Sequence, residues 1–148
     1  MLYSSEQKRK IILDNFNQPS HQVELEELKK ISKNYQVPWT TFQSLEVGCG
    51  DIIHLLIIKK ENYLEKCLFS AQQSCLITIV VANMLCACME KKSIDFAQTI
   101  INNCERMIKK ENYDLGNCPS LKVFNDISQF PHRIECLKIV LRGIKSML

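Results

Sequence analysis

Four residues at three places in the 148-residue chain combine the side-chain types that hold a metal ion or carry sulfur. Cys49 and Asp51 stand together in "EVGCGDI", Cys75 follows in "QQSCLITIVV", and Cys136 lies in "FPHRIECLKIV". A thiolate is both a zinc ligand and the form of cysteine that attacks sulfur, and a carboxylate completes many such sites. Gly48 and Gly50 flank Cys49 and let the backbone turn sharply ahead of an apolar strand. Cys75 falls where a strand hands over to a helix, and Cys136 opens the last helix. A thiol near a helix N-terminus faces the positive end of the dipole, which favours its ionised form. Cys49, Asp51, Cys75 and Cys136 could thus meet as one Cys₃Asp tetrahedron drawn from three element ends. The competing reading is plain burial, because cysteine is by default a small buried hydrophobe. Spacing taken alone favours burial.

The other cysteines carry less. No pair has the C-x₂-C spacing of a zinc knuckle, and Cys86 and Cys88 are C-x-C. On a helix such side chains diverge by about 200°, so this pair reads as packing. Cys67 within a strand and Cys104 on a helical stripe read as core. Cys118, in a loop beside Pro119, is expected to be exposed and oxidisable. His54 alternates along the strand after Asp51 and reads as a surface or packed residue. His132, close to Cys136, is the better placed of the two for transient ligation.

These residues need elements to position them. Ile11, Ile12 and Phe16 have helical spacing over residues 5–16, which end at "NQPS". "HQVELEELKKISK" (21–33) carries a second amphipathic helix, placed at about 22–34 and ended by Pro38. "TTFQSLEV", "DIIHLLIIKK" and "NYLEKCLFSA" read as three consecutive strands with short connections, hence an antiparallel meander. Residues 75–90 are apolar on all sides and are assigned to a buried helix. Ser93 caps another, whose stripe is Ile94, Ala97, Ile100, Ile101, Cys104 and Ile108. A loop with Gly116 and Pro119 and a short helical turn at 121–126 lead to a final amphipathic helix after Pro131. The expected class is α+β: a three-stranded antiparallel meander packed against five to six helices, in one domain over 1–148.

Composition narrows the function. Apolar residues are 46% and charged residues 24%, an ordinary globular balance. The net charge of +3 is spread among lysines and glutamates with no basic block interleaved with aromatics, so no nucleic-acid partner is expected. The N-terminus lacks a signal-peptide core, and the most apolar stretch, 75–89, is too short to span a bilayer. A cytoplasmic protein with no membrane role is expected. There, eight cysteines point to metal ligation or thiol chemistry before disulfides.

At full length the chain resembles the U-type iron–sulfur cluster assembly proteins: SufU most closely, with IscU and the N-terminal domain of NifU. "IILDNFNQP" is similar to the family's opening helix and its break, and "CGDIIHLLIIK" to the first-cysteine motif. "SCLITIVVANML" corresponds to the second cysteine at a helix start, "KKSIDFA" to a following G-K-[ST] segment, and "FPHRIECLKIVLRGI" to the third-cysteine motif. The long segment from Cys75 to Cys136 points to SufU. Departures are Val47-Gly48 in place of Asn-Pro, Ser74 in place of glycine, and a bulkier helix after Cys75. Glu135 stands at the SufU lysine or IscU histidine position, and 22–34 looks like an added helix.

The resemblance implies a SufE/IscU-like fold and a zinc ion held by Cys49, Asp51, Cys75 and Cys136. It implies Cys49 as acceptor of persulfide sulfur from a cysteine desulfurase of the SufS, IscS or NifS type, with downstream assembly proteins as further partners. Asp51 is the exchangeable ligand that lets the site open, and Arg133 offsets its negative charge. An assembly scaffold for a [2Fe–2S] cluster, with iron or a transient cluster at the same ligands, is the alternative; Cys136 is then a rival first acceptor. A zinc-stabilised binding module is the third reading. The chain is a sulfurtransferase-like acceptor in the first case and not an enzyme in the second.

Overall fold

The computed structural model describes residues 2–44, 50–71 and 74–148. Helix α1 (Ser5–Asn17) starts on a capping box: Gln7 N–H donates to Ser4 Oγ at 3.2 Å, and Ser4 N–H donates to Gln7 Oε1 at 2.8 Å. Helix α2 (Leu25–Tyr35) ends on Gln36 in the left-handed region, φ 56°, two residues before Pro38. Strands β1 (Thr40–Gln43), β2 (Ile52–Lys60) and β3 (Tyr63–Ser70) form an antiparallel sheet in the order β1-β2-β3. Register pairs Phe42 with Ile53 and Ile57 with Cys67. Helices α3 (Leu76–Met89), α4 (Ile94–Ile108) and α5 (Pro131–Met147) follow, with 3₁₀ helices at Pro119–Phe124 and Ile127–Gln129 before the last. The α+β meander expected from the sequence is therefore present. Residues 45–47 of the first strand segment lie outside the described residues.

Strand β2 separates two apolar layers because its side chains alternate. Ile53, Leu55 and Ile57 join the main core with α3, α4 and α5. Leu56 and Ile58 face the other way and pack with Leu28 of α2, flanked by Val23, Leu25, Ile31, Val37 and Trp39. Helix α2, the one expected at about 22–34, thus closes the second face of the sheet. Each fully buried aliphatic chain contributes about 1.5–3 kcal/mol, and both faces of β2 use such residues. Asp51, just before β2, extends the odd-numbered series towards α3 and α5; His54 belongs to the even series. His54 is nearly buried, shares a hydrogen bond with Thr41 Oγ1 at 2.8 Å and packs edge-on against Trp39 at 5.5 Å.

The outer edge of β3 is closed by three separate devices. Phe69 exchanges backbone bonds with His21 and Val23, at 3.0 and 2.9 Å. Glu90 Oε1 accepts from Cys67 N–H at 3.3 Å, and Leu64 bonds to the backbone of Lys91 and Lys92. A part-buried polar strap ties these pieces to α1. Asn83 Oδ1 accepts from His21 N–H, Asn83 Nδ2 donates to Asn15 Oδ1, and His21 Nε2 pairs with Glu90 Oε2 at 2.7 Å.

Helix α5 lies against β1 and β2 because Gly143 lets it. A Cβ there would meet Leu55 Cδ1 at 2.8 Å and Phe42 Cδ2 at 2.9 Å. Two expectations need correction. Cys118 is not an exposed loop thiol but is only 5% exposed, because the following 3₁₀ helix buries Leu121, Val123 and Phe124. Cys136 does not open α5; Pro131 takes the first helical position, which sets Cys136 more than a turn inside.

Candidate metal centre

Three of the four expected ligands meet at one point. A carboxylate oxygen of Asp51 and the sulfurs of Cys75 and Cys136 all lie within 4.8 Å of one another. Asp51 comes from the residue before β2, Cys75 from the N-cap of α3, and Cys136 from the second turn of α5. Asp51 and Cys136 are buried and Cys75 is exposed, so the centre opens to solvent on one side. Cys49 lies outside the described residues. Ser44 N–H donates to Asp51 O at 3.0 Å and Arg142 donates to Gln43 O at 2.7 Å, which pins the end of the first strand.

Asp51 acts as a side-chain cap for α3. Its Oδ1 accepts the Cys75 N–H at 2.7 Å, an orphan donor of the helix start, and its Oδ2 accepts the Thr78 hydroxyl at 2.6 Å. Burial pushes the Asp51 carboxyl up, but the Thr78 and Cys75 donors together outweigh it and hold the group below its ordinary range. The Cys75 and Cys136 thiols also face this carboxylate and lower it further. Cys75 Sγ stands 2.9 Å from Cys136 Sγ and 3.5 Å from Thr78 Oγ1. The Cys136 thiol donates to Cys75, which brings Cys75 down to about 6 against the effect of burial. The shared proton and burial push Cys136 up. One thiolate, one thiol and one carboxylate make a donor set suited to a thiophilic ion. Thiolates sharing a tetrahedral zinc stand about 3.8 Å apart at 2.3 Å bond lengths, so the two sulfurs would part by about 1 Å around one.

Thr78 was not singled out in the sequence, although it bonds Asp51 and touches Cys75. Its one signal is a hydroxyl at the first turn of an otherwise apolar helix, and it is fully buried. Ser74 also finds a role, since its hydroxyl donates to Ile52 O at 2.6 Å and ties the start of α3 to β2. Arg133 is exposed and its guanidinium lies 4.6 Å from the centre of the Phe130 ring, a cation–π contact. His132 is exposed and Glu135 half-buried, while His54 sits on the opposite face of β2 from the centre.

No protein-family model matches the chain. It is 22% identical over 102 residues to the iron–sulfur cluster assembly scaffold protein IscU of Thermotoga maritima, covering 69% of this chain and 71% of that one. Solved structures agree in fold. One from Fervidobacterium islandicum AW-1, described as an iron–sulfur cluster assembly scaffold for the SUF system, superposes with a TM-score of 0.75 at 17% identity, covering 97% of this chain and 93% of that one. An N-terminal NifU-like protein of Brucella abortus gives 0.71 at 10% identity, over 91% and 87% of the two chains. A protein described only as hypothetical gives 0.76 at 19%, over 97% of each chain. The fold is thus the one shared by U-type proteins. The motifs and the IscU similarity carry the likeness into sequence: this chain resembles the U-type iron–sulfur cluster assembly family. Among the described residues no helix is long and apolar enough to cross a membrane.

Proposed function

We propose that the chain serves iron–sulfur cluster assembly as a zinc-dependent sulfur carrier, a single U-type domain over 1–148 working with a cysteine desulfurase in the cytoplasm. The observation that carries this reading is the convergence of Asp51, Cys75 and Cys136 within 4.8 Å. Cys49, two residues before Asp51, is the fourth ligand and the sulfur acceptor. A bound zinc ion would keep its thiolates deprotonated near neutral pH while muting them as nucleophiles. The chain's own residues do the rest. Thr78 and the Cys75 N–H orient the Asp51 carboxylate, which as the hard ligand leaves most readily. The Cys49 thiolate attacks the outer sulfur of the desulfurase persulfide. The donor S–S bond breaks, the donor cysteine departs as thiolate, and a persulfide remains on Cys49 with no net oxidation. Arg133, from the exposed start of α5, supplies countercharge.

A second reading, a scaffold for a [2Fe–2S] cluster, is supported by the description of the IscU and SUF-system relatives as scaffolds. The same ligands would hold cluster iron. One sample separates the two. The carrier reading expects about one zinc per chain and stimulation of a cysteine desulfurase that Cys49→Ala abolishes. Full stimulation by Cys49→Ala overturns it, and a stoichiometric visible chromophore on anaerobic reconstitution transfers the assignment to the scaffold.

A further inference from the structure

A second group of thiols lies about 20 Å further along α3, at 1.5 Å per residue. Cys88 in the last turn of α3, Cys104 of α4 and Cys118 ahead of the 3₁₀ helix are close enough to influence one another. Cys88 and Cys118 shift each other's titration in opposite directions, as two neighbouring thiols do. Cys88 Sγ also lies 3.9 Å from the carbonyl of Asn117, the residue before Cys118. Both sit on ordered backbone: Cys118 N–H donates to Leu115 O at 2.9 Å, and Leu121 N–H donates to Cys118 O at 3.1 Å.

The two differ in access. Cys88 is half-buried, whereas Cys118 is 5% exposed. Neighbouring Cys118 and Lys92 favour the Cys88 thiolate, and burial pushes Cys67 and Cys104 up to about 12. Of these four, Cys88 alone combines exposure with thiolate character, the two conditions for reaction with disulfides.

We propose that Cys88 and Cys118 are a second, redox-active thiol pair that closes to a disulfide at the expense of a low-molecular-weight disulfide, apart from the metal centre. Cys88 thiolate attacks the external disulfide, forming a mixed disulfide and releasing one thiolate. Cys118 then loses its proton and attacks Cys88 Sγ, closing the internal S–S bond and expelling the second thiolate. Two protein thiols are oxidised, one external disulfide is reduced to two thiols, and these take up the two protons.

The test incubates the zinc-loaded full chain with oxidised glutathione at pH 8, blocks remaining thiols, and maps the products by non-reducing proteolysis and mass spectrometry. The Cys88–Cys118 cross-link should form at least ten times faster than any modification of Cys67, Cys86 or Cys104. In Cys118→Ser the glutathione should stay trapped on Cys88. In Cys88→Ser, a milder change at a half-exposed site, Cys118 should remain a free thiol. Cross-linking of Cys88 to Cys104, stable glutathionylation of Cys88 in the native chain, or direct attack at Cys118 in Cys88→Ser would overturn the assignment.

Discussion

Thr78 donates its hydroxyl to the buried Asp51 carboxylate at 2.6 Å, so the residue that orients the proposed hard ligand sits on the same helix turn as the proposed soft ligand, Cys75. Partners that orient a ligand tune metal affinity, and losing one typically weakens binding about 10- to 100-fold. Thr78→Val keeps the shape and removes the donor. Its zinc affinity, read by chelator competition, should fall roughly 10- to 100-fold, with the far-ultraviolet spectrum unchanged. Native affinity in that variant would show that Asp51 is held by the Cys75 N–H alone.

The Trp39–His54 pair reports on the opposite face of the sheet. Burial, helped by Lys29, keeps the His54 pKa below the ordinary 6.5. The unfolded chain therefore binds a proton here first as pH falls. The stabilising share of neutral His54 is present above pH 6.5 and is lost as pH drops through the lower folded value. The chain has one tryptophan, so its fluorescence should change as pH is lowered, with a midpoint below 6.5. The transition should vanish in His54→Gln. A midpoint at or above 6.5 would contradict the packing described for this pair.

Gly143 marks the tightest approach of α5 to the sheet. Gly143→Ala would drive a methyl group against Leu55 and the Phe42 ring. Helix propensity favours alanine by roughly 1 kcal/mol, yet overpacking costs about 1–3 kcal/mol. The clash should win, lowering the urea midpoint. Because α5 also carries Cys136, slower recovery of the metal-bound form after chelation is expected alongside it.

The sequence disclosed the elements where pattern and punctuation agreed. The apolar run of β2, the Ser93 cap of α4 and Pro131 before α5 each named an element that is present. Asp51, Cys75 and Cys136 were legible only through the family motifs around them, since their spacing taken alone favoured burial. Thr78 was not, since a lone hydroxyl in "LITIVV" looks like any tolerated polar residue until Asp51 is placed beside it. Cys118 was misjudged for the opposite reason. Gly116 and Pro119 mark a loop, but Leu115, Leu121, Val123 and Phe124 around it draw that loop into the core. Local composition gave the chain's path there without its depth.

The closed edge of β3 bears on how the chain avoids sticking to itself. An apolar strand with unpaired backbone invites another molecule to extend the sheet, the usual first step of aggregation. Here that edge is sheltered by His21 and Val23, by Glu90, and by the turn at Lys91 and Lys92, which come from before and after the sheet in sequence. During synthesis, β2 and β3 leave the ribosome before Glu90 and the Lys91–Lys92 turn are complete. For that interval the nascent chain carries this strand edge uncovered, and α3 must dock to end the exposure.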